Sequence, residues 1–297
     1  MAMKFLVKVK KPDHAHSVKY LLHQHLNGPE PERPLKNVHA SELTKPDGIC
    51  ARAYALSDVT KQKPGNRWLS TSENMTFALG RVIQDLVVDA FADMGKAICH
   101  WRCLNCNCLH EFTSRPNACN KCGSKRFRYE EVRFESAVSG ASCGVDMLLA
   151  LGDSKLRPIE IKTMAADQFK PLAAPLAEHR LRTNLYLRII AESKQSCASL
   201  VATDRANVLY VSKSAYGCAD PQLKEWGLKE GFSPFKEFVV ERNDADTDAI
   251  VKPAITVKQF REGQIGMPKG VCSTAMTKRA CSCAFKSACF SGEYPAA

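Results

Sequence analysis

Long apolar runs are missing from this chain. The most continuous, FLV near Met1 and LVV around Leu86, are a few residues long, whereas a bilayer-spanning helix needs about 20. No apolar stretch leads into a small-residue cleavage site of the secretory kind. Both absences set the expectation of a soluble, intracellular (cytoplasmic) protein with no membrane partner. There is no Walker A sequence and no internal repeat, which argues against a built-in ATP motor and a solenoid. The acidic run ERNDADTD lacks the glycine and terminal glutamate of a calcium loop and reads as a solvated turn. Negative charge is short too: 31 Asp+Glu stand against 42 Lys+Arg, a net charge of +11 that favours a polyanionic partner.

Cysteine, by contrast, is plentiful. In a reducing compartment fourteen cysteines in 297 residues point to metal ligands before disulfides. Nine of the fourteen lie in two clusters, Cys103 to Cys122 and Cys272 to Cys289. In the first, Cys103-x2-Cys106 and Cys119-x2-Cys122 form two knuckles twelve residues apart, a spacing that wraps one Zn²⁺ tetrahedrally. Cys108 is a spare thiol able to replace Cys106, and His110 is a further substitute. In the second, Cys272, Cys283 and Cys289 have uneven spacing and a distant fourth partner in Cys50. That pattern suits a [4Fe-4S] cluster better than a zinc knuckle. Cys281 competes for the third position, and zinc or simply buried thiols remain alternatives.

Both clusters lie in basic surroundings. Between Cys99 and Arg128 six cations, among them Arg126, face one acid, Glu111, with Trp101, Phe112 and Phe127 interleaved. Such a mixture suits phosphate contact plus stacking on unpaired bases. Alternatively the aromatics are the ribbon's own small core, the better reading for Phe112 and Phe127. From Lys252 to Cys289 seven basic residues meet a single acid, Glu262.

The segment GVDMLLALGDSKLRPIEIKT reads as a hairpin turning on Asp153, with Asp146 seven residues before and Glu160 seven after. Folded symmetrically, it sets these carboxylates opposite each other, about 4.5–5.5 Å apart at Cβ, where like charges repel unless neutralised. A hard cation such as Mg²⁺ would neutralise them and keep positions for phosphate oxygens. Alternation puts Lys162 on the face of Glu160, with Ile159 and Ile161 on the other. The plain alternative is a hairpin with one wet, salt-bridged face. Pro158 implies an edge or a bulge.

Along the rest of the chain, an extended start and a short helix, HSVKYLLHQHL, precede a Pro-rich link, NGPEPERPL. Ser41 is placed to cap a helix from Glu42, and another follows Cys50. A long amphipathic helix over MTFALGRVIQDLVVDAFADMGKAI shows a stripe of Phe77, Val82, Leu86, Val87, Ala90 and Phe91, with Gln84 off it. FRYEEVRFESAVSG reads as one strand. In the helix LAEHRLRTNLYLRIIAE, Leu181, Leu185 and Ile189 point inward while His179, Arg182 and Tyr186 share another face. NVLYVSK and FKEFVVER supply further strands.

From Ser41 to Phe290, ribbon excluded, this pattern resembles the PD-(D/E)XK nuclease superfamily. Within it the chain is similar to the RecB-like branch with an iron-sulfur cluster, the type of the CRISPR-adaptation nuclease and the AddB nuclease domain. The family's G-x-D and E-x-K match Gly144, Asp146, Glu160 and Lys162; its Cys and following Arg match Cys50 and Arg52; its closing C-x5-C matches Cys283 and Cys289. Where the family has G-x3-H this chain has Gly80 and Gln84, and where it has Q-x3-Y this chain has Arg182 and Tyr186. The resemblance implies a restriction-endonuclease-like α/β fold, a mixed central sheet flanked by helices, with an inserted zinc ribbon and a C-terminal iron-sulfur clasp. Expected parts are an N-terminal extension (1–40), a nuclease core (41–98 and 129–297) and the ribbon (99–128). The implied activity is Mg²⁺- or Mn²⁺-dependent hydrolysis of DNA, as an exonuclease in recombination, repair, replication or processing. Asp146, Glu160, the Ile161 carbonyl and Gln84 would hold the metal. Lys162 would serve the reaction, and Tyr186, Arg182 and His179 would hold single-stranded or end-containing DNA, alongside Trp101 and Arg126. A helicase, recombinase or integration complex would be the partner. The rival reading is an inactive DNA-binding or structural protein of the same fold.

Overall fold

The computed structural model describes residues 18–29, 37–62, 68–214, 217–229 and 231–296. The expected extended start and most of the Pro-rich link lie outside the described residues. The described residues fall into two compact units, 18–29 with 68–79 and 37–62 with 80–296. In the first, helix α1 (Val18–Leu26) buries no side chain. There the strand pair Gly28–Pro29 and Trp68–Leu69 precedes the start of a long helix, and Asn74 donates to the Leu26 carbonyl at 2.7 Å.

The second unit carries the chemistry. Its longer helices are α2 (Ala51–Thr60), the later part of α3 (Thr71–Asp93), α4 (Ala177–Ala191) and α5 (Asp244–Arg261). Its main strands are β1 (Ala97–Cys103), β2 (Leu109–Thr113), β3 (Phe127–Glu130), β4 (Val132–Glu135), β5 (Ala141–Val145), β6 (Met147–Leu149), β7 (Arg157–Met164), β8 (Arg205–Ser212) and β9 (Phe235–Glu241). A mixed seven-stranded sheet runs β9-β8-β7-β6-β1-β2, with β3 also on β1, and only β7 and β8 pair in parallel. A three-stranded sheet pairs Val38–His39, β5 and β4. The central sheet is flanked by helices: α3 packs Val87 and Val88 against Ile159 and Ile161, while Tyr186 and Ile189 of α4 join Val145 and Leu148 in another core. No helix among the described residues is long and apolar enough to cross a membrane.

Several local expectations shift. FRYEEVRFESAVSG is two strands, not one, because the chain leaves the large sheet after Glu130 and enters the small one at Val132. On α3 the inward line is Ile83, Val87, Val88 and Phe91, and Val82 and Leu86 are 65% and 69% exposed. One residue is about 100° of helical turn, so this line, set by the isoleucines of β7, leaves the expected stripe to one side. The short helix begins at Ala40 with His39 as its cap, ahead of Ser41. ERNDADTD is the capped start of α5, where Asn243 accepts from the Ala245 N–H, so its acids favour a helix N-terminus over a free turn.

Candidate functional site

The β6–β7 hairpin pairs Leu149 with Arg157, Leu148 with Pro158 and Met147 with Ile159. The same register, one residue further, sets Asp146 opposite Glu160. Pro158 precedes the parallel ladder to β8, which begins at Ile159 with Asn207, so its missing N–H interrupts no bond of that ladder. Asp146 sits where the chain bends out of β5 into β6. Its Oδ2 accepts from the Ile161 N–H at 2.7 Å, which orients the carboxylate towards β7.

Glu160 is 3% exposed and Asp146 8%. Glu160 Oε1 is in contact with the Lys162 ammonium, while its Oε2 is buried and has no hydrogen-bond partner among the described residues. A buried carboxylate oxygen without a donor costs about 1–3 kcal/mol or more, so it is what a missing cation would leave behind. Burial, then the Glu160 charge, pushes the Asp146 carboxyl well above its ordinary value. Burial pulls the Lys162 ammonium down, but Glu160 and Asp146 outweigh it and hold it above its usual value. Two buried acids face one ammonium; the proton held by Asp146 offsets their repulsion, and a divalent cation could take its place.

Helix α4 lies over this pocket. Tyr186 is buried, and burial followed by Glu160 and Asp146 holds its hydroxyl protonated. Arg182 is half-buried, with a long contact of 3.4 Å from its Nε to Thr44 Oγ1, and it pairs with no carboxylate among the described residues. His179, expected to hold DNA, is a neutral imidazole: burial, then Lys162 and Arg182, lowers its pKa to about 4. The Tyr210 hydroxyl accepts from the Leu176 N–H at 2.9 Å and lies 2.8 Å from His179 Nδ1. The His179 Nε2 lies 3.3 Å from Glu178 Oε1; with the imidazole proton on Nε2, facing that carboxylate, Nδ1 accepts from the Tyr210 hydroxyl. Gln84 is half-buried and makes no hydrogen bond among the described residues, and Gly80, one turn before it, packs beside Thr163.

The knuckle cysteines converge. Cys103, Cys106, Cys119 and Cys122 place their sulfurs within 4.8 Å of one another, with Cys103 to Cys122 at 3.6 Å and Cys106 to Cys119 at 3.5 Å. Thiolates at zinc bond length around a tetrahedron stand about 3.8 Å apart. The Cys106 N–H, donating to the Cys103 sulfur, lowers that thiol's pKa to about 6. Cys108, His110 and Cys119 form a second close group that shares Cys119. Around them Arg126 is exposed. Trp101 requires a correction: it is fully buried, packs with Val88 and Ile161, and donates from its indole to the Thr113 carbonyl at 3.1 Å. A side chain with no exposed face cannot stack on a base; Trp101 instead fixes the root of the ribbon.

Cys50, Cys272, Cys283 and Cys289 line one small cavity, with Arg279 and Lys286 on its wall. Cys281 is absent from that wall; it is exposed, and its sulfur lies 3.7 Å from the Ala275 carbonyl. Sequence reasoning passed over Glu131 beside the acid pair, because the expected single strand hid the break that exposes it.

No family model and no curated protein matches the chain. Among solved structures it is similar to SSO0001, at 13% identity and TM-score 0.36 over 82% of this chain and 83% of that one. It is also similar to the alkaline exonuclease LHK-Exo from Laribacter hongkongensis, at 12% identity and TM-score 0.40 over 77% and 90%. The same exonuclease in complex with dAMP gives 13% and 0.40 over the same shares. Likenesses of this size leave the reading of the site to its own geometry.

Proposed function

We propose that this chain is a divalent-cation-dependent DNA nuclease of the PD-(D/E)XK type, in which a core of residues 41–98 and 129–297 carries a zinc ribbon at 99–128. The observation that supports this most directly is Glu160: buried beside Asp146, one oxygen on Lys162, the other without a hydrogen-bond partner among the described residues. Asp146, Glu160 and the Ile161 carbonyl would hold the Mg²⁺ or Mn²⁺. When bound, the ion supplies charge stabilisation at the phosphate and a more acidic water. Lys162, fixed by Glu160, directs an ammonium at the same place. Arg182 offers a guanidinium to a phosphate oxygen, and neutral His179 offers its Nε2–H by exchanging Glu178 Oε1, 3.3 Å away, for a phosphate oxygen. Tyr186 excludes water behind Glu160. Arg126 extends the basic surface along the ribbon. Cys50, Cys272, Cys283 and Cys289 would hold a [4Fe-4S] cluster as a structural clasp, since hydrolysis moves no electrons.

End-labelled single- and double-stranded DNA, incubated with Mn²⁺ or Mg²⁺, is expected to be cut by the wild type. Asp146→Asn and Lys162→Ala should lose at least about 100-fold. Equal cutting by these variants defeats the assignment, and metal-independent retention of DNA without cutting supports a binding protein. Stability should move the opposite way. The raised Asp146 carboxyl stabilises the fold only while protonated, a contribution lost as pH climbs through the raised value. Asp146→Asn should therefore melt higher than wild type at neutral pH, with the gap closing towards acid. Added Mn²⁺ should raise the wild-type melting temperature and leave the variant's nearly unchanged.

A further inference from the structure

The two knuckles of the ribbon share one backbone design. In each, the residue after the second cysteine is left-handed, Asn107 at φ 59° and Gly123 at φ 70°, a conformation that Asn and Gly adopt at least cost. Its N–H donates to the carbonyl of the first cysteine, at 3.0 Å to Cys103 and 2.8 Å to Cys119. The next residue, Cys108 or Ser124, accepts from the N–H of that first cysteine, at 2.9 Å and 2.8 Å. It also gives its own N–H to the sulfur of the second cysteine, Cys106 or Cys122. Ser124 shows that this position serves its knuckle through the backbone alone. The first knuckle nevertheless carries a fifth thiol there, and the knuckle itself gives that thiol no task.

The Cys103–Cys108 bond continues the β1–β2 ladder, so Cys108 and His110, two residues apart, leave the strand on one face. Their ligand atoms and the Cys119 sulfur all lie within 4.8 Å of one another, while Cys108 stands outside the group of four. His110 packs edge-on against Phe127, ring centroids 5.4 Å apart. Its Nε2 is buried and has no hydrogen-bond partner among the described residues, and a buried polar atom left unpaired marks an absent partner. The Cys108 sulfur meets the Leu109 carbonyl and Asn120 Oδ1 only at 3.9 Å each. Two thiolates and an imidazole are a donor set for Zn²⁺, whereas Mg²⁺ and Mn²⁺ favour the oxygens of the carboxylate pocket.

We propose that Cys108, His110 and Cys119 form a second Zn²⁺ site, with the Cys119 thiolate bridging to the first ion. The inference rests on the zinc ribbon proposed above. One Zn²⁺ on four thiolates is a dianion; a second ion that brings one further thiolate and a neutral imidazole reduces that negative charge. With three protein ligands its fourth position falls to water, so this ion is the weaker and more exchangeable of the two. It also clamps β2, which ends the large sheet and pairs with β1 alone among the described residues, onto the second knuckle.

The holoprotein with one Zn²⁺ in its ribbon, titrated with Zn²⁺ against a chelator in excess Mg²⁺, tests the proposal, and a parallel sample exchanged into ¹¹³Cd²⁺ reports the ligands by NMR. Wild type should take up a second ion at least about tenfold more weakly than the first. Cadmium should give two signals, each split by the other through the Cys119 sulfur. Amide exchange over residues 109–113 should slow as the second ion binds. Cys108→Ser and His110→Ala should each keep the first ion and lose the second signal, the splitting and the added protection. A second ion that survives both substitutions would overturn the proposal, as would a wild type that stays at one ribbon ion in saturating Zn²⁺. Two unsplit cadmium signals would overturn the bridge given to Cys119. Should His110→Ala loosen the packing on Phe127, Cys108→Ser decides alone, since Ser124 already makes the same backbone bonds in the other knuckle. A ribbon that holds no Zn²⁺ at all removes the ribbon reading itself.

Discussion

The two cysteine groups differ in how their sulfurs meet. In the ribbon four thiols gather within 4.8 Å of one another; in the clasp four thiols line one cavity, yet no three of them come that close. A single tetrahedral ion needs the first arrangement, whereas a cubane holds its thiolates further apart and suits the second. The chain distances differ in the same sense. The ribbon cysteines span Cys103 to Cys122, while Cys50 lies more than 200 positions from its cavity partners, so a cluster there would constrain the unfolded chain far more.

The largest effect should come from breaking the clasp. Cys289→Ser is expected to lose the iron chromophore and about 3–5 kcal/mol of stability, or to become insoluble, while zinc stays near one per chain. A purified wild type that is colourless and holds two zinc ions would erase the contrast between the two centres. Within the clasp, Cys272→Ser should lose iron as Cys289→Ser does, and Cys281→Ser should keep it, because Cys281 faces solvent off the cavity wall.

The ribbon should answer more mildly and in a separable way. Cys106→Ser is expected to lose zinc, keep iron and cost under about 2 kcal/mol in a denaturant titration, since the ribbon is rooted through Trp101 in the core of the main sheet. Trp101→Ala, cutting that root, should cost about 3–5 kcal/mol. A Trp101→Ala protein of unchanged stability but weakened DNA binding would restore the stacking role that its burial argues against.

What was legible in the sequence follows the same division between local and distant. The Asp146–Glu160 pairing could be counted, because a hairpin fixes register by its turn and the two residues are equidistant from Asp153. The ribbon's ligands could be counted for the same reason. Glu131 could not, since nothing local marks a strand that changes sheets between two residues of similar pattern. The α3 stripe was misplaced because a helix with apolar residues on more than one side takes its inward line from the partner it packs on, here Ile159 and Ile161. Cys272 over Cys281 was undecidable from spacing alone, and rests on which sulfur turns into the cavity.

The smallest expected effect concerns Arg52, 5% exposed on α2. Its Nε donates to Cys289 Sγ at 3.2 Å, and its terminal nitrogens donate to the carbonyls of Pro268 at 3.0 Å, Cys289 at 3.4 Å and Tyr294 at 2.5 Å. No carboxylate pairs with it among the described residues, and a buried guanidinium without an anion is costly. A cluster held by four thiolates carries net negative charge and would supply the anion. Gly270 helps to seat the arrangement, since a Cβ there would come 3.3 Å from Arg52 Cδ and 3.5 Å from Cys289 Sγ. Arg52→Lys keeps the charge but loses the fork that spans one sulfur and three carbonyls. It should therefore retain more than about half of the iron, and the cluster's midpoint potential should fall, because a lost N–H···S bond leaves more charge on the sulfur. An unchanged potential with full iron would reduce Arg52 to a tether for the chain terminus. A colourless Arg52→Lys would instead promote it from tuning the clasp to assembling it.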